Sequence, residues 1–563
     1  MIRVLPPQVA AQIAAGEVVE RPASVVKELL ENAIDAGARR IEIEIAGGGT
    51  ELIRVSDDGC GIAAPEIDLA FARHATSKLE NADDLSSLRS LGFRGEALPS
   101  IAAAADVTMT SRTADAEAGL YVRLEGGPIS DRGLQGAPPG TTVTVSNLFG
   151  RQPARRKFLR SPGSEAGHVS SLVSAYALAY PEIAFTLKLN GRSVLQTSGS
   201  GRLEDAAAPV YGGEVAAALL LLSPAEGAIQ VLGGVCAPHV SRAGRGYVNI
   251  FVNRRWVQSR RLSFAVEQAY EGLLMTGRYP MAIVDIRLPG EDVDVNVHPT
   301  KAEVRFRDES AVFGAVQRAV RAALLAQAPA PSLTGSSPQA LHLDVQPSTN
   351  PLWQHAAHLS TRSPAPIPAA TVPGQALPVL RVIGQFGSIY IIAEGPEGIY
   401  LIDQHAAHER VLYDELLARR ASRKPNGQGV LAPLVVELSP AQDVAISCSL
   451  DSLAEHGFQL EAFGPRTYRL RAVPALLSGE DIGGSFLAFV DEMLEAEGYA
   501  SDRVAMSLAC HSAVRAGQTL TPQEMRELVQ QLERTAVPNT CPHGRPTLIQ
   551  LSAETLAREF GRR

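Results

Sequence analysis

Seven consecutive residues, Asp403-Gln-His-Ala-Ala-His-Glu409, together with Cys510 and Cys541-Pro-His543, gather carboxylate, imidazole and thiolate side chains in one C-terminal region. A borderline-soft cation such as zinc accepts all of these donors. His405 and Glu409 are four residues apart, so a helix puts both on one face. Near the other end, Glu28 and Asn32 repeat that spacing with a different pair. A carboxylate there can take a proton from a water attacking a γ-phosphate, and an amide oxygen can ligate magnesium beside the phosphates. Asp57-Asp-Gly-Cys-Gly61 offers a carboxylate acceptor suited to an adenine amino group, ahead of a turn that glycine permits. His74-Ala-Thr76-Ser-Lys78 and Gly92-Phe-Arg94-Gly95-Glu-Ala-Leu98 bracket a segment whose backbone amides and Lys78 could close over a triphosphate as a lid. A nucleotide at one end and a metal at the other describe a regulated enzyme.

The elements that carry these groups are legible in the periodicity. Val26, Leu29, Leu30, Ala33 and Ile34 form a helical apolar stripe, with Glu28, Glu31, Asn32 and Asp35 off it. Ile41, Ile43 and Ile45 alternate with Glu42 and Glu44 as a half-buried strand, and Gly47-Gly-Gly49 turns the chain into a second strand, Leu52 to Ser56. Helix followed by meander is not the strand–loop–helix order of a P-loop fold, and the Walker glycine-lysine pattern is absent, so the class is α+β. From Pro329 to about Pro378 the chain turns Pro-, Ala- and Ser-rich and cannot bury enough apolar surface to order itself. Such a linker has a mean span of roughly 40 Å and a stretched limit near ~170 Å, enough to pass around a DNA duplex.

At 563 residues the chain is too long for one core, and 45% hydrophobic content makes it globular. No apolar run spans a bilayer and no leader precedes the fold, so the cytoplasm is expected, with association to the nucleoid when active. Five scattered cysteines argue against a disulfide framework; Cys60, Cys236 and Cys448 read as core filling. The net charge of -8 excludes indiscriminate coating of nucleic acid but not local basic patches.

Taken singly, a Glu–Asn pair is an ordinary helix face and Asp-Gly an ordinary turn. Taken in this order, they resemble the ATPase superfamily (GHKL) of type II topoisomerases, ninety-kilodalton chaperones, sensor kinases and MutL mismatch-repair proteins. Gln12-Ile-Ala-Ala-Gly-Glu-Val-Val-Glu-Arg-Pro22, Lys27-Glu-Leu-Leu-Glu-Asn32, Asp35-Ala-Gly-Ala38 and Ala72–Lys78 are similar to MutL proteins specifically. So are Gly92–Leu98, Pro153-Ala-Arg-Arg-Lys-Phe-Leu159 and Asp294-Val-Asn-Val-His-Pro-Thr-Lys301. The resemblance covers nearly the whole chain outside the linker. It implies a GHKL (Bergerat) ATPase sandwich over 1–205, a transducer domain of left-handed βαβ type over 206–328, a flexible linker over 329–378, and an α/β C-terminal dimerisation and endonuclease domain over 379–563.

By that resemblance Glu28 is the general base, Asn32 the magnesium ligand and Asp57 the adenine contact. Lys301 reaches the γ-phosphate from the next domain, and Gly140-Thr-Thr142 lies near the nucleotide. Gly61, Thr76, Lys78, Gly92, Arg94, Gly95 and Thr142 complete the ATP site. Asp403 to Glu409 resembles the endonuclease motif of those MutL proteins that nick DNA; Ala509–Gly517, Cys541–Pro546 and Phe560-Gly-Arg562 resemble its companions. Asp403, His405, Glu409, Cys510, Cys541 and His543 would then hold manganese or zinc, or stand next to it, with Asp403 and Glu409 in the chemistry. The sequence departs from the family at Asp58 (usually Asn), Gly150-Arg-Gln152, Asn253-Arg-Arg255 and Asp414 (usually Glu).

Arg151, Arg155, Arg156, Lys157 and Arg160, with Arg254, Arg255, Arg260 and Arg261, suggest a sequence-independent groove for double-stranded DNA centred on Arg155, Arg156, Lys157, Arg260 and Arg261. Gln428-Gly-Val-Leu431-Ala-Pro433 is similar to the segment by which such proteins dock on the replication sliding clamp. The resemblance further implies an ATP-gated homodimer that answers to the mismatch sensor MutS, with no membrane partner. Three readings of the metal residues stay open: a nicking endonuclease, a purely structural zinc site, and a metallopeptidase, whose His-Glu-x-x-His order is missing. The rival function is a non-catalytic ATP-dependent matchmaker, whose family members lack the ligand set.

Overall fold

The computed structural model describes residues 19–78, 91–92, 95–223, 227–242, 244, 246–274, 278–294, 304–326, 377–421, 427–477, 481–495, 500–513 and 519–559. Arg94, Lys301, the Phe560–Arg562 motif and all but the last two residues of the expected linker lie outside them. The first helix, α1 (Pro22–Asp35), starts on a proline, whose missing N–H costs nothing in a first turn, and buries Val25, Val26, Leu29, Leu30 and Ala33. Strand β1 (Arg40–Ala46) points Ile41, Ile43 and Ile45 inward and pairs antiparallel with β2 (Leu52–Asp57), Ile43 opposite Val55. They join β3 (Asp106–Arg112), β4 (Gly119–Glu125), β5 (Ile129–Gln135), β6 (Gly140–Ser146), β7 (Ala184–Leu189) and β8 (Arg192–Gln196) in one sheet of order β5-β4-β3-β6-β2-β1-β7-β8. The short helix α2 (Pro153–Lys157) leads into α3 (Pro162–Ala179), which packs on α1 and β7. Helices on a largely antiparallel sheet confirm the α+β class. Glu31 lies off the apolar stripe yet is buried: α3 covers it, and the Tyr176 hydroxyl donates to its Oε1 at 2.6 Å.

A second sheet, of order β12-β11-β13-β10-β9, uses β9 (Leu219–Leu221), β10 (Gln230–Cys236), β11 (Val248–Val252), β12 (Arg255–Val257) and β13 (Ala282–Arg287). The parallel pair β11–β13 forces a crossover, and α4 (Arg260–Ala269) supplies it, packed against α5 (Glu309–Ala326). Cys236 is buried here as expected, whereas Cys60 and Cys448 are exposed and fill no core.

The C-terminal region has a sheet of order β14-β15-β16-β20, from β14 (Arg381–Phe386), β15 (Tyr390–Gly395), β16 (Gly398–Asp403) and β20 (Leu548–Ser552). A second, of order β17-β19-β18, uses β17 (Gly427–Glu437), β18 (Gln459–Gly464) and β19 (Thr467–Pro474). Helix α6 (Gln404–Ala421) runs between two apolar cores. Ala407 and Val411 belong to the one under the four-stranded sheet, and Leu412 and Leu416 to the other, with α7 (Ile482–Glu495) and α8 (Ala500–Ser512). Among the described residues no helix is long and apolar enough to cross a membrane.

Candidate active sites

The nucleotide residues sit where α1 meets the ends of the first sheet. Asp57 closes β2; its Oδ1 accepts the N–H groups of Gly59 (2.9 Å) and Thr141 (3.3 Å). Burial pushes this carboxyl above its ordinary pKa, and those two N–H groups hold it back. Thr142 donates from Oγ1 to Ser56 Oγ at 3.0 Å. Gly61 has φ +71°, and a Cβ there would lie 2.2 Å from the Arg112 carbonyl oxygen, so the turn admits only glycine. The two segments that bracket residues 79–90 come together: His74 N–H donates to Gly95 O at 3.2 Å, and Gly95, at φ +62°, leaves no room for a Cβ against Ala75. Lys78 N–H bonds the Thr76 hydroxyl at 3.2 Å, and Lys78 Nζ lies 3.1 Å from Asn32 Oδ1. The Asn32 amide oxygen thus faces a positive charge supplied by the chain itself. Glu28 is half-buried one turn earlier on α1. The unexpected charge of Asp58 is turned aside: its carboxylate accepts Arg39 N–H and Arg40 N–H at 2.8 Å each and Arg40 Nε at 2.9 Å. Slight burial opposes ionisation, but these donors outweigh it and lower the pKa.

In the C-terminal region one carboxylate is shared by two clusters. Glu409 is 2% exposed; its Oε1 lies 3.2 Å from His405 Nε2 and its Oε2 3.6 Å from His543 Nδ1. One ligand atom each from His405, Glu409 and Cys510 fall within 4.8 Å of one another, and so do those from Glu409, Cys541 and His543. Glu409 Oε2 is buried yet accepts no hydrogen bond, a cost that a cation would relieve. Asp403, at the head of α6, is not in either triplet; its Oδ1 caps the helix, accepting the N–H groups of His405 and Ala406 at 3.0 Å each. The late loop is fixed to α6 by Arg410, whose Nε donates to Thr540 O at 2.6 Å, and to β16 by the Asp403 N–H bonded to Thr547 O at 2.9 Å.

The clustered groups perturb one another's ionisation strongly. Burial would raise the Glu409 carboxyl, but the imidazoles of His405 and His543 hold it well below the carboxylate range. His543 is pushed up to about 9 by its contacts with Cys541 and Glu409. Burial raises the Cys510 thiol, and the carboxylates of Glu492 and Glu409 raise it further. Glu492 is the member that the sequence did not reveal; His511 Nδ1 stands 3.7 Å from its Oε1. Asp414 serves structure instead, accepting from Arg410 at 3.3 Å and from the Ala536 N–H at 3.2 Å.

Of the basic residues, Arg156, Lys157, Arg260 and Arg261 are exposed, and Phe158 beside them is 88% exposed. Arg155 is half-buried and donates to Val19 O at 3.2 Å, while Arg261 pairs with Glu309. Arg151, itself exposed, pairs with Asp106 at 2.6 Å, half-buried Arg254 pairs with Glu182 at 2.6 Å, and Arg255 is nearly buried, so these three already have partners or cover within the protein. Gln428 to Pro433 lies on β17, whose pairing with β19 breaks between Gly429 and Leu434, leaving Leu431 fully exposed.

Three family models match in chain order. They are a histidine kinase-, DNA gyrase B- and HSP90-like ATPase over 20–126, a DNA mismatch repair protein C-terminal domain over 207–325, and a MutL C-terminal dimerisation domain over 383–520. The DNA mismatch repair protein MutL of Desulforudis audaxviator is 41% identical over 568 residues, covering 100% of this chain and 99% of its own. That of Symbiobacterium thermophilum is 39% identical, covering 100% of both. A solved structure, the Aquifex aeolicus MutL ATPase domain complexed with ADP, aligns at 29% identity over 48% of this chain and 93% of that one, with a TM-score of 0.38. Full-length identity at this level, with the domain order of the fold described above, places the chain in the MutL family of DNA mismatch repair proteins.

Proposed function

We propose that the chain is an ATP-gated homodimeric clamp of mismatch repair whose C-terminal site nicks DNA. The observation that carries the second half is the buried Glu409 carboxylate shared by two ligand triplets, one with His405 and Cys510 and one with Cys541 and His543. Manganese or zinc bound there would supply neutralisation of a scissile phosphate and a water acidic enough to attack it near neutral pH. The protein's part is to hold the ligands. Asp403 fixes the first turn of α6, His405 and Glu409 repeat one turn apart, and Arg410 pins the loop that presents Cys541 and His543.

In the ATP site, Glu28 takes the proton of the attacking water, Asn32 offers Oδ1 to magnesium, and Asp57 accepts from the adenine amino group. Thr76, Lys78, Gly92 and Gly95 contact the phosphates, a role that Arg94 and Lys301, outside the described residues, take from the family resemblance alone. Homodimerisation through the C-terminal region is supported by the outer face of its four-stranded sheet, where Phe386, Tyr390 and Ile549 are exposed opposite the buried Ile391 and Ile402. Arg155, Arg156, Lys157, Arg260 and Arg261 track DNA phosphates, Leu431 with Gln428 and Pro433 engages the sliding clamp, and MutS recruits the dimer.

The rival is a matchmaker that uses ATP only to recruit other repair enzymes. Purified protein with manganese and supercoiled plasmid separates the two: nicking that vanishes in Asp403→Asn supports the nuclease. An inert parent in the presence of manganese, zinc and clamp leaves the matchmaker.

A further inference from the structure

Asp35, the last residue of α1, does more than end a helix. Its side chain is 9% exposed, and its carboxylate gathers three donors: Lys78 Nζ at 2.5 Å, the Leu91 N–H at 2.9 Å and the Gly92 N–H at 3.0 Å. The same Lys78 ammonium donates to Asn32 Oδ1 at 3.1 Å. On the other side of the Leu91 residue, its carbonyl oxygen accepts from Arg255 at 3.2 Å, and Arg255 is a nearly buried residue of the second sheet. One carboxylate therefore links Lys78 and the Leu91–Gly92 backbone to the helix that carries Glu28 and Asn32. One guanidinium links the second unit to the same backbone.

We propose that Asp35 is a positioning residue of the ATP site, which parks the Lys78 ammonium on the magnesium-binding oxygen of Asn32 and holds the Leu91–Gly92 backbone where Arg255 grips it. This rests on the reading of Asn32 as the magnesium ligand. The part-buried ammonium satisfies an oxygen of Asp35 and the amide oxygen of Asn32 together. A divalent cation arriving at Asn32 must displace a like charge, so Lys78 sets how much magnesium is needed. An amide in place of the Asp35 carboxylate keeps the shape but gives up the charge, and it turns one end into a donor that faces other donors.

The test is a titration of a fluorescent ATP analogue, followed by polarisation, in EDTA and across magnesium concentrations. Lys78→Met, at a side chain only partly buried, is expected to reach half-maximal magnesium-dependent binding at roughly threefold to tenfold lower magnesium, whatever happens to its affinity in EDTA. Asp35→Asn is expected to bind the analogue roughly tenfold more weakly, with Asp35→Glu recovering part of the loss and Arg255→Ala adding little to it. An unchanged magnesium midpoint in Lys78→Met overturns the proposal, even if Asp35→Asn fails to fold. Parent-like binding by Asp35→Asn overturns it equally. Asn32→Ala keeps the two readings apart: magnesium-dependent binding that survives in that variant removes the ligand assignment itself, whereas its loss beside a normal Asp35→Asn removes only the role of Asp35.

Discussion

Glu409 faces His405 one helical turn back at 3.2 Å through one carboxylate oxygen and His543, from the late loop, at 3.6 Å through the other. A single buried carboxylate thus joins a helix to a loop more than a hundred residues away in sequence. Glu409→Ala is expected to weaken zinc or manganese binding roughly tenfold or more, and by more than His543→Ala, because it removes a donor from both triplets. Equilibrium dialysis with metal analysis measures it; equal losses in the two variants would count against the shared carboxylate.

Metal uptake should be steeply pH-dependent. His543 is protonated below about 9 in the metal-free protein, and Cys510 keeps its proton throughout the ordinary range. Both protons must leave when these atoms bind a cation, so apparent affinity rises with pH and the His543 contribution levels off above about 9. Calorimetric titrations in buffers of different ionisation enthalpy count the protons released. A count of zero near pH 7 would exclude both residues as ligands.

Glu28→Ala is expected to bind ATP with near-parental affinity but to lose turnover by roughly two or more orders of magnitude, since it removes only the proton acceptor. Asn32→Ala should instead bind magnesium–ATP poorly. Filter binding beside a phosphate-release assay separates the two. Normal hydrolysis by the Glu28 variant would sink the assignment.

Binding to a fluorescent duplex should fall with salt, with a log–log slope of about −4 if Arg156, Lys157, Arg260 and Arg261, the last exchanging Glu309 for a phosphate, each release a counterion. Arg156→Ala with Lys157→Ala should flatten that slope by about 2 for any duplex sequence. A slope near zero in the parent rules out a phosphate groove.

The exposed Leu431 predicts a further loss. Gln428→Ala with Leu431→Ala should abolish co-purification with the replication sliding clamp while leaving the melting temperature unchanged, because the Leu431 side chain is in no core. A double variant that still captures the clamp would assign the docking elsewhere.

Much of this was legible because the chemistry repeats with the period of the element that carries it. Glu28–Asn32 and His405–Glu409 are one turn apart, and Ile41, Ile43 and Ile45 alternate, so helix and strand follow from spacing alone. What stayed hidden depends on distant packing. Glu31 is buried because α3, far along the chain, brings Tyr176 over it. Glu492 sits on a helix whose pattern reads as core, so nothing marked it as a neighbour of Cys510. Asp58 stands where the family usually has an uncharged Asn, and only the fold shows that Arg40 holds its carboxylate. Asp403 stands in a metal motif, but its Oδ1 is the cap of α6, a role that only backbone geometry discloses.

Helix α6 has Ala407 and Val411 in one core and Leu412 and Leu416 in the other. Cys510 rides on the second body through Leu508 and Ala509, while Cys541 and His543 hang from the first through Thr547 and β16. An ion drawing on both triplets would rivet a seam between two independently packed halves. Chelation would then do more than blunt a blade: the halves could shear along the helix that separates them.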